Sequence, residues 1–81
     1  MDPATPTNDG IPAIEDLHPG TRVICAGQWH GVVVFNSITA EYSDECPASV
    51  WQGHRPGFMV RYTEVGLVFQ EEPDEDLTIV R

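Results

Sequence analysis

The sequence predicts a small all-β domain of five short strands closed into a barrel. Three observations carry that prediction. Apolar runs rich in valine and aromatics are short, and Pro/Gly turns separate them. One run, Phe58-Met59-Val60-Arg61-Tyr62, alternates with period two, setting Phe58, Val60 and Tyr62 on one face and Met59 and Arg61 on the other. No stretch repeats apolar residues at helical spacing for more than a turn or two.

Residues 1–16 read as a flexible leader, interrupted by Pro3, Pro6 and Pro12, with turn chemistry at Asn8-Asp9-Gly10. Ile11, Ile14 and Leu17 are placed to pin its end to the barrel, which spans 17–81. His18-Pro19-Gly20 is a turn, because proline presets φ and glycine takes conformations that other residues avoid. Thr21–Cys25 follows as the first strand. Ala26-Gly27-Gln28 then leads into Trp29–Phe35, which is too valine-rich for a helix of its length. Pro56-Gly57 opens the third strand, Phe58–Tyr62. Thr63–Gly66 turns the chain into Leu67–Gln70. Pro73–Asp76 makes a tight, 3₁₀-like corner before the last strand, Leu77–Val80.

The long loop between strands 2 and 3, Ser37 to Arg55, does not fit a bare connection. It carries Ile38, Tyr42, Cys46, Val50 and Trp51, too much apolar material for a solvated loop. A short helix or hairpin laid over one end of the barrel is expected there.

The order Pro19-Gly20-Thr21-Arg22-Val23, Gly31-Val32-Val33, Val60-Arg61-Tyr62 and Asp76-Leu77-Thr78-Ile79-Val80 resembles the SH3-like (KOW-type) small barrels. The resemblance covers about residues 17 to 81 and implies a fold, which does not pass on a function. Some KOW-type relatives bind nucleic acid, which the resemblance would extend to basic loops. Type II dihydrofolate reductases are similar too, through Trp29-His30-Gly31-Val32-Val33-Val34 and a comparable length. Their pore strand carries Val-Gln-Ile-Tyr and they use a lysine. Here the strand reads Gly66-Leu67-Val68-Phe69-Gln70-Glu71, Gln70 is out of register with the family's glutamine, and the chain has no lysine.

Charge constrains function more than any motif does. Thirteen acidic residues stand against four arginines, a net charge of −9 over 81 residues. Binding driven by phosphate neutralisation needs cations that this chain lacks, so no direct nucleic-acid partner is expected. An acidic surface is drawn instead to basic protein faces. No run approaches the ~18 apolar residues of a membrane span, and the N-terminus has no signal-peptide pattern, so the expectation is a cytoplasmic protein without a membrane partner.

Cys25 and Cys46 lie in no CxxC pair, and Cys25 reads as a small buried hydrophobe in a strand. The intervals from Cys25 to His30 and from Cys46 to His54 fit no compact zinc pattern, and the acids after Gln70 lack calcium-loop spacing. No metal or cofactor is therefore assigned. Ser37, Ser43 and Ser49 have no activating motif, and Glu41, Asp44 and Glu45 are too close in sequence to imply a separate acid and base. No catalytic residue is assigned either, and the expectation is a protein that is not an enzyme.

The candidate partner-binding residues are Tyr42, Trp51 and Arg55 in the long loop, with the acidic corner Glu71, Glu72, Asp74, Glu75 and Asp76. A tryptophan and an arginine so close together are typical of an interface anchor. Trp51 could equally plug an open end of the barrel. Acids beside a terminal strand also discourage edge-to-edge pairing. The reading is an acidic interaction or inhibitory module that binds a basic protein surface. Two alternatives stand beside it: a nucleic-acid mimic of the kind phages and mobile elements use, and a small oligomeric reductase. Homo-oligomerisation would help so thin a core, but no residue demands it.

Overall fold

A computed structural model describes residues 11–80, so the expectations for residues 1–10 lie outside the described part. Five antiparallel strands form one sheet: β1 (Arg22–Cys25), β2 (Trp29–Asn36), β3 (Phe58–Tyr62), β4 (Gly66–Gln70) and β5 (Leu77–Ile79). Their order is β4-β3-β2-β1-β5, with β4 and β5 as edges. A 3₁₀ turn, Ile14–Asp16, precedes β1, and a single helical turn, α1 (Ala48–Trp51), lies in the long β2–β3 loop. No helix among the described residues is long and apolar enough to cross a membrane.

The alternation seen in Phe58–Tyr62 organises the whole sheet. Phe58, Val60 and Tyr62 face an inner core with Leu17, Val23, Val33 and Leu77. Val68 of β4 and Ile79 of β5 pack on that same cluster. Cys25 of β1 and Val68 of β4, three strand steps or about 14 Å apart in a flat sheet, nonetheless line one cleft, so the sheet bends around its inner face. Close packing there leaves no room for a side chain at position 31. A Cβ on Gly31 would lie 2.6 Å from Val60 Cγ1 and 2.8 Å from Tyr62 Cδ1.

The end of the leader is built into this core. Leu17 is fully buried, Ile14 packs beside it, and Ile11 stays exposed. Asn36, also fully buried, donates from Nδ2 to the carbonyls of Ile14 (2.8 Å) and Leu17 (3.0 Å), while its Oδ1 accepts from the Ile38 amide. One side chain thereby satisfies three backbone groups that would otherwise be costly to bury.

Between Val33 and Phe35 the register against β3 shifts: Val33 faces Val60, but Phe35 faces Met59. Val34 is the extra residue of a β-bulge. Its effect is to turn Phe35 away from the inner core. Phe35, Met59 and Phe69 then form a row across β2, β3 and β4 on the outer face. The long loop covers that row, so it lies across the back of the sheet and not over an end of it. Its Cys46 is fully buried there, with Tyr42 and Trp51 packed alongside. The expectation of a short helix in this loop matches α1.

Candidate functional site

The loop segment is anchored by local polar bonds before any site forms on it. Ser43 Oγ donates to the Val34 carbonyl at 2.6 Å, which ties the loop to the bulge residue. Ser37 Oγ accepts from the Gly57 amide at 2.9 Å and bonds the Arg55 carbonyl at 3.0 Å, closing the base of the loop. Gly57, at φ +154°, passes so close to the Gln70 carbonyl and to Phe69 Cζ that a Cβ would collide with both. The serines are thus structural fasteners. Arg61 Nε, on the outer face, pairs with Glu45 at 3.0 Å and holds a further part of the loop.

On that base the outer-face rings meet. Phe35 lies at the centre, stacked with Tyr42 at 5.5 Å and Trp51 at 5.3 Å between centroids. His54 stands edge-on to Phe69 at 4.6 Å and to Trp51 at 5.1 Å. Arg55 places its guanidinium 5.3 Å from the Phe69 centroid and pairs with Glu71 at 3.2 Å. Tyr42, Trp51, Arg55 and Glu71, four of the predicted residues, therefore belong to one neighbourhood. Trp51 is half-buried and seals the sheet's back, while Val50 beside it is 69% exposed.

The remaining acids continue past β4. Glu71, Glu72, Asp74, Glu75 and Asp76 are all exposed. A turn closes the corner, with the Leu77 amide donating to the Asp74 carbonyl at 3.0 Å. The Ala26 amide donates to the Asp76 carbonyl at 2.9 Å and so fastens the corner to the β1–β2 turn. The only ion pairs among the described residues join His18 to Glu41, Arg55 to Glu71 and Arg61 to Glu45. Of the five corner acids, Glu71 alone has a cationic partner among these. At the far side of the sheet, Arg22 and Arg61 flank Val32 in a single cross-strand row.

Between the acidic corner and the inner core opens a cleft of about 200 Å³, lined by Cys25, Trp29, Tyr62, Val65, Val68, Gln70 and Asp74. It joins β4 to the ends of β1 and β2, where no strand pairing closes the sheet. Gln70 donates from Nε2 to Asp74 Oδ2 at 2.9 Å. Its Oε1 is buried and has no hydrogen-bond partner. Burial, with smaller contributions from the neighbouring Cys25 thiol and the Asp74 charge, pushes the Tyr62 hydroxyl up to about 12, so this part of the wall stays neutral.

Two other groups are shifted. The hydrogen bond from His18, at 2.6 Å, and then that from Thr39 hold the Glu41 carboxyl below its ordinary value. Burial, then the charge of Glu45, pushes the Cys46 thiol up, which keeps it protonated and inert. Cys46 is the fully buried cysteine, whereas Cys25, expected in the core, is half-buried at the cleft. Both are free. The curled sheet puts them on opposite faces, and no group of three potential metal ligands occurs among the described residues.

Residue-by-residue reading missed the cleft. Tyr62 was legible on the same face as Phe58 and Val60, and Trp29 and Val68 as strand residues, but only the fold brings them beside Asp74. Gln70 carried a usable clue, since a glutamine at a core-facing strand position requires a partner. No family model, curated protein or solved structure matches the chain.

Proposed function

We propose that this chain is a non-enzymatic binding module of the SH3-like barrel kind, which holds a basic surface of another protein against its acidic corner. The strand order β4-β3-β2-β1-β5, with the acidic corner between β4 and β5, supports the barrel reading. One observation carries the functional reading. The corner Glu71–Asp76 gathers five exposed carboxylates, and among the described residues only Glu71 is paired with a cation.

Like charges so near in the chain repel one another, and among the described residues only Arg55, at Glu71, offsets that repulsion. A basic partner would relieve it. Such an association is steered by charge and weakens with ionic strength, because the Debye length falls from about 10 Å at 0.1 M salt to about 3 Å at 1 M. Arg55, Phe69 and Trp51 lie at one end of the corner and offer an aromatic edge to the same partner.

The test is capture of host proteins by the tagged chain from nuclease-treated lysate, washed at low and at high salt. A protein released by salt, and not captured by a variant with Glu72→Gln, Asp74→Asn, Glu75→Gln and Asp76→Asn, supports the reading. Capture that survives both salt and neutralisation overturns it.

A further inference from the structure

We infer that the cleft beside the acidic corner receives an arginine side chain of the basic partner, a reading that rests on the proposed function and names the group it recognises. Three independent features converge there. The first is shape and lining. An apolar cavity of about 150 Å³ is enough to admit benzene. The cleft here is about 200 Å³ and is walled by Trp29, Tyr62, Val65 and Val68. A planar guanidinium on its methylene stem suits that space, since it is weakly hydrated for a cation and stacks on aromatic faces.

The second feature is an acceptor in want of a donor. Gln70 Oε1 is buried and unpartnered, an arrangement that is destabilising in general because the atom has given up water for no partner. The amide cannot relieve this by flipping. Its Nε2 is committed to the Asp74 carboxylate, and a flip would set two acceptors against each other. Gln70 lines the cleft and its side chain is only half-buried, so a small swing of its amide would present Oε1 to a donor seated there.

The third feature is charge. Asp74 lines the cleft and begins the run Asp74-Glu75-Asp76. A cation is therefore favoured over a neutral ring of equal size, and an anion is excluded. Guanidinium carries five N–H donors in a fixed fork, so one edge can engage Asp74 while another donor reaches Gln70 Oε1. Lysine has the charge but not the plane.

The experiment titrates Nα-acetyl-L-arginine amide into the full ¹⁵N-labelled chain, with the uncharged citrulline analogue as comparator. Saturable shifts at the Trp29 indole N–H and the Gln70 side-chain amide are expected with arginine and not with citrulline. Binding should weaken about tenfold in Asp74→Asn and in Gln70→Leu, the effect of losing one charge-assisted hydrogen bond. Asp74 is exposed, so its variant carries the test even where Gln70→Leu disturbs the fold. Shifts confined to Glu71, Glu72 and Glu75, or binding indifferent to both substitutions, overturn the inference. Failure here is separable from failure of the proposed function. Salt-sensitive capture that persists in Gln70→Leu, with a blank titration, leaves the acidic corner standing and removes the cleft. A positive titration, with capture indifferent to neutralisation of Glu72, Glu75 and Asp76 while Asp74 is kept, removes the corner and leaves the cleft standing.

Discussion

On its inner face the sheet is packed mainly by aliphatic side chains drawn from every strand, Val23, Val33, Val60, Val68 and Leu77 among them, with Leu17 from the segment before β1. On the outer face the packing is aromatic, Phe35, Phe69, Tyr42 and Trp51, and half of those rings come from one loop. The inner face is held by contacts that span the chain from Ile14 to Ile79. The outer face depends on a bulge, a helical turn of four residues and a few hydroxyl bonds. Loss of an inner residue therefore threatens the whole domain, whereas loss of an outer one frees a segment. Both candidate surfaces sit at margins between the two. The acidic corner runs from Glu71 beside the outer rings to Asp74 beside the inner cleft.

Truncation on each face gives the largest expected contrast. Phe58→Ala should cost about 3–5 kcal/mol, most of the stability of a domain holding on the order of 5 kcal/mol. Trp51→Ala, at a half-buried site, should cost about 2 kcal/mol. Amide exchange should then accelerate over residues 43–54 while β1 and β2 keep most of their protection. Equal loss of protection on both faces would mean that loop and core unfold as one unit, and the division drawn above would fail.

Alkaline titration sharpens the contrast at the next scale. Tyr62 ionises near 12 in the folded chain and near 10 when unfolded. The unfolded state loses its proton first, so the stabilisation is complete below about pH 10 and declines as pH rises towards 12. Urea midpoints measured from pH 9 to 11.5 should fall, and Tyr62→Phe should remove much of that fall. Tyr42→Phe, on the outer face, should leave it in place.

The smallest effect belongs to the pair that borders the acidic corner. Arg55 and Glu71 side chains are 68% and 59% exposed, so Arg55→Gln should change the unfolding free energy from urea titration by less than about 1 kcal/mol. A larger loss would show that the Arg55–Phe69 contact, and not the ion pair, holds the end of the loop.

Much of the fold is legible in the sequence. All five strands fall where turn residues and β-branched runs placed them, and the alternation in Phe58–Tyr62 named the inner and outer residues of β3 correctly. The long loop was recognisable as structured from Tyr42, Cys46 and Trp51. Its destination was not. Trp29–Phe35 is an almost unbroken apolar run, and such a run does not reveal where its side chains change face. The bulge at Val34 makes that change, and with it Phe35 leaves the inner core and the loop acquires an apolar surface to cover. The acidic corner was likewise plain from composition, while the cleft beside it joins residues as distant as Cys25 and Asp74.

The sequence alone determined what is local: strand positions, turns, net charge and the alternation that makes a core. Tertiary structure decided which residues share the cleft, which face the loop covers, and which polar atom is left without a partner. The physical reason is range. Backbone preferences and side-chain periodicity act over a few residues, whereas the bend of the sheet and the burial of Gln70 Oε1 depend on segments far apart in the chain that meet only in the folded domain.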